Sequence, residues 1–316
     1  MLSLGVAIGY VWTSTMGTDT VERWRSLTLR PPIAVTPAKW RDIAEQTRQS
    51  SLPIVVRDLF VSQSQSWSPQ RLADEWATRD VTVVVDLPPH SVPFREQYND
   101  YRRQMKLVDF IALLASGRSC YLHQVALGLF PELQKEVDVK DLSLGRLFGV
   151  NLWVGSKTRS GLHYDNADNL FGQIYGRKRA LLISPDYTKC LYPFVDNPSK
   201  SRVDLDALDL VRHPRCRRVE LWHVELEPGD GLFIPRGWWH HISAEDVSIS
   251  INCWHGNTFS DLDKVHLFLK GGAPVVCRGI YDFLWHGVLR RPYYVRLFCP
   301  PPPGVQAYDM LKALVR

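Results

Sequence analysis

The sequence predicts a mainly β domain of the sandwich or barrel type, with helices packed beside it, and two patterns carry that reading. Between Asn151 and Trp254 eight short apolar stretches follow one another with turn residues between them, as in antiparallel sandwiches and barrels. Before that span helix and strand signals alternate, and beyond Phe259 the apolar spacing turns helical. The second pattern is local: Val247-Ser248-Ile249-Ser250-Ile251-Asn252-Cys253-Trp254 alternates apolar with small polar residues. A strand built so has one face in a core and the other along a cavity.

Taken in order, Thr36-Pro37 reads as a helix cap and first-turn proline, with Trp40, Ile43 and Ala44 on one face. Pro53 to Leu59 reads as a strand, and Ser68-Pro69 opens a helix carrying Leu72 and Trp76. Val81 to Val85 is a buried β-branched run. Pro88 to Arg103 is polar and aromatic, the composition of a loop. Leu107 to Ala115 forms a helix closed by Gly117, and Cys120 to Gln124 a short strand.

The eight stretches of the β region are Asn151 to Val154, Gly161 to Asp165, Leu170 to Tyr175, Arg179 to Ser184, Val219 to Leu226, Gly231 to Ile234, His240 to Ser243 and Val247 to Trp254. Glu227-Pro228-Gly229-Asp230 makes a tight turn between two of them. Beyond Phe259 helices are expected around Leu262 to Leu269, Ile280 to Leu289 and Tyr308 to Val315. The expected organisation is a tail over 1–30, a catalytic β domain with its N-terminal α/β flank over 31–256, and a helical segment over 257–316.

Composition bounds the function. The chain has 316 residues, of which 45% are hydrophobic and 22% charged, so a sizeable core is available. A net charge of +5, spread along the chain, mildly favours acidic partners without indicating a nucleic-acid groove. Six cysteines without a C-x-x-C pair read as reduced thiols, which places the protein in the cytoplasm. The apolar start, Met1 to Thr15, lacks a basic n-region and is too short to span a bilayer. Met16-Gly17-Thr18-Asp19 is the more ordinary opening, so the residues before it are expected to be a mis-assigned start or a loose tail.

The chemistry-bearing residues are His163 and Asp165, two apart, and His240 after the pair Trp238-Trp239. On a strand, residues two apart share a face, so His163 and Asp165 project together while Tyr164 points away. One more imidazole completes the 2-His-1-carboxylate set of non-haem Fe(II) oxygenases, which leaves half of an octahedral metal open. Adjacent strand residues point oppositely, so His240 and His241 do not both reach one metal. His241 is expected to face outward. Lys178, between Arg177 and Arg179, is expected to alternate inward.

The pieces Tyr121-Leu122-His123-Gln124, Ser160-Gly161-Leu162-His163-Tyr164-Asp165, Asn169 to Arg179, Pro228-Gly229-Asp230, Ile234 to His240 and Ser250 to Trp254 occur in an order and spacing that resembles the JmjC (jumonji C) domain family of Fe(II)- and 2-oxoglutarate-dependent oxygenases. The resemblance covers about residues 50 to 256 and lies nearest the small hydroxylase branch of factor-inhibiting hypoxia-inducible factor. It implies a double-stranded β-helix, a cupin-like jelly roll. It also implies that His163, Asp165 and His240 are the catalytic iron ligands and that Lys178, Tyr121 and Ser160 hold the distal carboxylate of 2-oxoglutarate. Asn169 and Asn252 match amides near its metal-chelating end, and His123 a hydrogen-bonding place near its entrance.

By family chemistry Fe(II), 2-oxoglutarate and O2 together hydroxylate a C–H bond on a protein, peptide or small-molecule substrate, with lysine demethylation and a non-catalytic scaffold as rivals. No nucleic acid or membrane partner is expected. The helical tail is expected to support a homodimer, again by resemblance.

Overall fold

The computed structural model describes residues 28–30, 33–36, 52–86, 101–138, 146–256, 261–293 and 301–314. The expected tail and the helix expected after Thr36 lie essentially outside these residues, as do most of the span Pro88 to Arg103, residues 1–15 and the last residues of the chain.

In chain order the elements are β1 (Thr28–Arg30), β2 (Ile33–Val35), β3 (Ile54–Val56), α1 (Val61–Ser66), α2 (Pro69–Trp76), β4 (Asp80–Val85), β5 (Arg102–Lys106), α3 (Leu107–Ala115), β6 (Cys120–Ala126) and α4 (Pro131–Lys135). The β region follows with β7 (Arg146–Ser156), β8 (Thr158–Arg159), β9 (Asp168–Tyr175), β10 (Lys178–Ile183), β11 (Pro193–Phe194), β12 (Asn197–Ser201), β13 (Glu220–Leu226), β14 (Gly231–Ile234), β15 (Trp239–Ala244) and β16 (Ser248–Gly256). Then come α5 (Asp261–Lys270), α6 (Ala273–Asp282), a π-helical turn over Phe283–Val288 and α7 (Pro303–Leu314).

Two sheets result. The larger runs β2-β3-β14-β9-β16-β7-β6-β4-β5, the smaller β1-β13-β10-β15-β8. From β7 onward the chain alternates between them except at β10 and β13, which pair with each other: β7, β9, β14 and β16 belong to the larger sheet, β8, β10, β13 and β15 to the smaller. Within these eight every pairing is antiparallel. Two facing four-stranded halves wound from one alternating chain are a cupin-like jelly roll, the predicted fold class.

Alternation along each strand assigns the layers. In β16, Ile249, Ile251 and Cys253 join Leu152, Val154, Trp67 and the helical side chains Leu72, Phe110 and Leu114 in a core behind the larger sheet. The second core lies between the sheets, where Phe171, Leu232 and Ile234 meet Ala180, Leu182, Val224 and Leu226. A third, on the far side of the smaller sheet, packs Leu181, Ile183, Leu221 and Trp239 under Leu191, Val203, Leu205 and Leu208 of the 185–219 connection. Helix α2 begins as its sequence requires, with Ser68 Oγ accepting the Arg71 amide at 3.1 Å and Pro69 in the first turn.

Seven of the eight expected stretches lie in strands. Gly161 to Asp165 does not: His163 alone makes bridges, to Lys200 and to His240. The reason is a change of register. Arg159 and Thr158 pair with Ser243 and Ala244, which would set Leu162 opposite His240, yet His163 stands there. One extra residue on that edge, as in a β-bulge, turns the imidazole rather than Leu162 toward the interior. The turn at 227–230 forms as expected, with Gly229 at φ +98° and the Asp230 amide donating to the Glu227 carbonyl at 3.1 Å. β5, where the sequence suggested the end of a loop, pairs along β4 at the sheet edge and shows few apolar residues to announce it.

Candidate metal centre

His163 and His240 are opposite partners in one antiparallel bridge and exchange both amide hydrogen bonds, at 3.1 and 2.7 Å. Directly opposed side chains share a face, so the two rings lie 4.3 Å apart. Asp165 is held by a separate tie, its carbonyl accepting the Gly237 amide at 2.9 Å. The turn before β15 is thereby fastened to the segment after His163, and Asp165 Oδ2 stands 3.8 Å from His240 Nε2. The donor atoms of His163, Asp165 and His240 all lie within 4.8 Å of one another. Same-face projection thus comes from pairing with β15 rather than from a strand over 161–165.

The surroundings select the ligand forms. His163 Nδ1 lies 2.7 Å from the Gly161 carbonyl and His240 Nδ1 3.0 Å from that of Trp238. Each carbonyl asks for a proton on Nδ1, which leaves the Nε2 lone pairs for a metal. Burial, with the charges of His240 and Lys200 adding to it, holds His163 well below the ordinary imidazole pKa, so it is neutral. Asp165 Oδ2 accepts from Trp254 Nε1 at 3.2 Å and from the Asn169 amide at 3.5 Å. Asn169 in turn takes the Asn252 amide at 3.4 Å, while Asn252 Oδ1 accepts from Trp153 Nε1 at 2.7 Å and Asn151 at 3.2 Å. This chain fixes the carboxylate against rotation. Two imidazoles with their Nε2 atoms turned to one point and one oriented carboxylate suit Fe(II).

Of the expected cosubstrate residues, Lys178 is buried, with its ammonium 5.3 Å from the ring centre of Phe171 and 5.7 Å from that of Tyr121. Burial alone pushes its pKa down to about 7. The neighbouring arginines do not join it. Arg177 faces Glu227 at the surface and Arg179 turns to Asp206. Tyr121 approaches through a gap left by Gly155, where a Cβ would sit 2.7 Å from the Tyr121 ring. Ser160 Oγ accepts the Ile242 amide at 2.9 Å, which leaves its own proton for another acceptor. Asn169 and Asn252 lie in the carboxylate-orienting chain. His123, half-buried, packs against Tyr121 and Trp153, and desolvation with the charges of Lys200 and Lys178 lowers its pKa to about 4.

His241 corrects one expectation. It turns away from the metal side, as strand geometry requires, but is fully buried instead of solvated. The 185–219 connection covers that face, and Asp206 reaches His241 Nε2 at 3.2 Å together with Arg159 and Arg179 at 3.3 Å. Lys200 was not singled out from the sequence, where Pro193 to Arg218 reads as loop. It stands on β12 beside His163, and only the pairing partner of His163 reveals it.

A family model described as cupin-like domain matches residues 40–261, which includes every residue of this centre. The chain belongs to the cupin-like domain family. Among the cupin-like proteins that resemble it, HSPB1-associated protein 1 homolog from Danio rerio is 40% identical over 110 residues, 33% of this chain and 24% of that protein. Lysine-specific demethylase 8 from Danio rerio is 33% identical over 195 residues, 57% and 48% of the two chains. Jumonji C domain-containing protein 5 from Drosophila melanogaster is 36% identical over 110 residues, 33% and 27%. This cupin-like chain thus spans half or less of the length of the curated relatives it matches.

Proposed function

We propose that the protein is an Fe(II)- and 2-oxoglutarate-dependent dioxygenase of the JmjC type that hydroxylates a C–H bond of a protein or peptide side chain. The observation that carries this reading is the convergence of His163, Asp165 and His240 on the same interior face that holds the buried, uncompensated ammonium of Lys178. His240 pairs with Leu182, and Lys178 stands four residues before Leu182 on the same face of β10. Strand rise sets the two backbone positions roughly 13 Å apart, a span that a lysine side chain and a five-carbon diacid fill together.

His163, Asp165 and His240 are the residues that hold Fe(II). Bound there with 2-oxoglutarate and O2, it supplies oxidation of C–H to C–OH, with succinate and carbon dioxide as the other products. The protein's own contribution is placement. Lys178 neutralises the distal carboxylate, with the Ser160 and Tyr121 hydroxyls as further donors. Trp254 and the Asn169–Asn252 chain keep Asp165 in its ligating rotamer. Trp238, inside the core between the sheets, and Trp239, bonded to Thr188 at 3.0 Å behind it, brace the His240 backbone. Packed aromatic walls exclude water from the reacting carbon.

The names of relatives favour a second reading, in which the hydroxylated carbon is an N-methyl group of lysine and formaldehyde leaves afterwards. Both reactions use the same centre. The hydroxylase branch is our reading. Anaerobic addition of Fe(II) and 2-oxoglutarate is expected to produce a weak visible charge-transfer band, with succinate formed once air enters. Absence of the band in protein that retains its fold sinks the reading and leaves a non-catalytic scaffold. With peptide substrates, a gain of one oxygen marks hydroxylation and loss of a methyl group marks demethylation.

The C-terminal helices suit a homodimer in solution. Ile280, Leu284 and Val288 stand four apart and about half exposed, with Leu311 exposed on α7. An apolar face of this kind marks an interaction site. Light scattering is expected to give twice the chain mass, falling to one chain in Leu284→Asp. A monomeric wild type at micromolar concentration removes the dimer.

The cupin-like fold itself does not place the protein in a compartment. Among the described residues no helix is long and apolar enough to cross a membrane. The described cysteines carry free thiols, three of them, Cys120, Cys216 and Cys253, buried and pushed up to about 12. Reduced, inert thiols support the cytoplasmic reading.

A further inference from the structure

We infer that the 200–218 connection is a docking surface for an acidic peptide, which it delivers to the metal centre; the inference rests on the proposed dioxygenase reading and names the chemistry of its substrate. Five arginines, Arg202, Arg212, Arg215, Arg217 and Arg218, lie within this connection and are all exposed. Among the described residues none of them has a carboxylate within ion-pair distance. Elsewhere the pattern is the reverse: Arg30, Arg57, Arg71, Arg118 and Arg177 each face an acidic partner.

The acids inside the connection are already committed. Asp206 is taken by His241, Arg159 and Arg179. Asp209 accepts the amides of Val211 and Arg212, both at 2.9 Å, and Asp204 that of Asp206 at 2.9 Å. The five arginines thus outnumber the three acids of the connection, Asp204, Asp206 and Asp209, and leave it with a net positive charge. Like charges held together without counter-charges cost free energy that an anionic partner recovers.

The cluster is also built rather than loose. Tyr192 organises it: Arg215 lies over the ring at 4.2 Å and donates its amide to the hydroxyl at 3.2 Å, Arg202 donates to the Tyr192 carbonyl at 3.3 Å, and His213 packs against the ring at 4.9 Å. Arg217 is tied to the Leu210 carbonyl at 2.9 Å. Cys216, Val203, Leu205 and Leu208 anchor the connection in the core behind the smaller sheet.

Finally, it leads to the centre. Arg202 stands two residues beyond Lys200, which bridges directly to His163 and whose charge reaches both His163 and His123. The connection thus begins at the strand that borders the metal ligands and carries its arginines outward from there. Arginine, rather than lysine, makes up the outer part, which suits paired carboxylates read by planar guanidinium groups. A peptide with acidic residues flanking its target side chain fits such a surface.

The test needs neither metal nor turnover. Fluorescence anisotropy with a labelled glutamate- and aspartate-rich peptide of about fifteen residues is expected to show salt-sensitive binding, weakened about tenfold or more in the double variant Arg212→Glu with Arg218→Glu. These side chains make no hydrogen bond among the described residues, so the variant is expected to keep its melting temperature and the charge-transfer band. A control with the same charge change elsewhere, Lys135→Glu with Lys312→Glu, is expected to bind as wild type. Equal binding by the two double variants overturns the proposal, as does a neutral peptide that binds as tightly as the acidic one. A single-stranded RNA of equal length that binds more tightly than the peptide, and is lost in the arginine variant, overturns it in favour of a nucleic-acid partner. Loss of the peptide with the band intact leaves the dioxygenase reading standing, and loss of the band with peptide binding intact does the converse.

Discussion

His163→Ala, Asp165→Ala and His240→Ala are each expected to lose stoichiometric ferrous ion and all detectable succinate formation, whereas His241→Ala is expected to keep both and to melt at a lower temperature. The contrast between neighbours follows from β15. His240 faces the interior between the sheets, where its Nε2 lies 3.8 Å from Asp165. His241 faces the covered side, where its Nε2 lies 3.2 Å from Asp206. Removing a metal donor leaves two ligands, too few to hold iron against water. Removing His241 takes one partner from a buried carboxylate that keeps two arginines, a loss of about 1–3 kcal/mol.

Metal content by mass spectrometry, succinate release and thermal melting separate the outcomes. Retained succinate formation in His240→Ala overturns the ligand set. Metal loss in folded His241→Ala does the same by another route, since it would place the second imidazole at the ion.

Much of this was legible in the sequence because it depends on short-range alternation. The inward turn of Lys178 between two arginines, the alternating faces of β16 and the opposite directions of His240 and His241 all follow from a period of two. What was not legible depends on long-range pairing. His163 reaches its face through a one-residue offset against β15, and nothing within Ser160 to Asp165 states which strand it will meet. Lys200 becomes part of the centre only because β12 runs beside His163. Burial of His241 likewise follows from a connection some thirty-five residues upstream, whose Asp206 reads in sequence as one acid in a polar loop. The donor set could be named from the chain, but the forces that orient it lie in contacts between distant segments.

Lys178→Ala is expected to raise the 2-oxoglutarate concentration needed for half-saturation by roughly 30-fold or more. Stripping one partner from a buried, charge-assisted pair costs about 2–5 kcal/mol, because the other charge stays behind without compensation. The pH dependence provides a sharper test. In the free protein burial holds Lys178 at about 7, and no carboxylate raises it. A bound dicarboxylate raises it, so binding takes up a proton wherever the free lysine has lost one. Affinity is therefore flat below about pH 7 and falls as pH rises above it, approaching tenfold per pH unit. Stability of the unliganded protein moves the other way. Its folded lysine sits below the ordinary value of 10.5, so the unfolded chain holds the extra proton between about 7 and 10.5, and stability rises with pH across that window. Calorimetric titration in two buffers of different ionisation enthalpy reads the proton uptake directly. In Lys178→Met both trends flatten. A wild type whose 2-oxoglutarate affinity is constant from pH 6 to 9, with no proton taken up, would remove Lys178 from the cosubstrate site while leaving the iron ligands where they are.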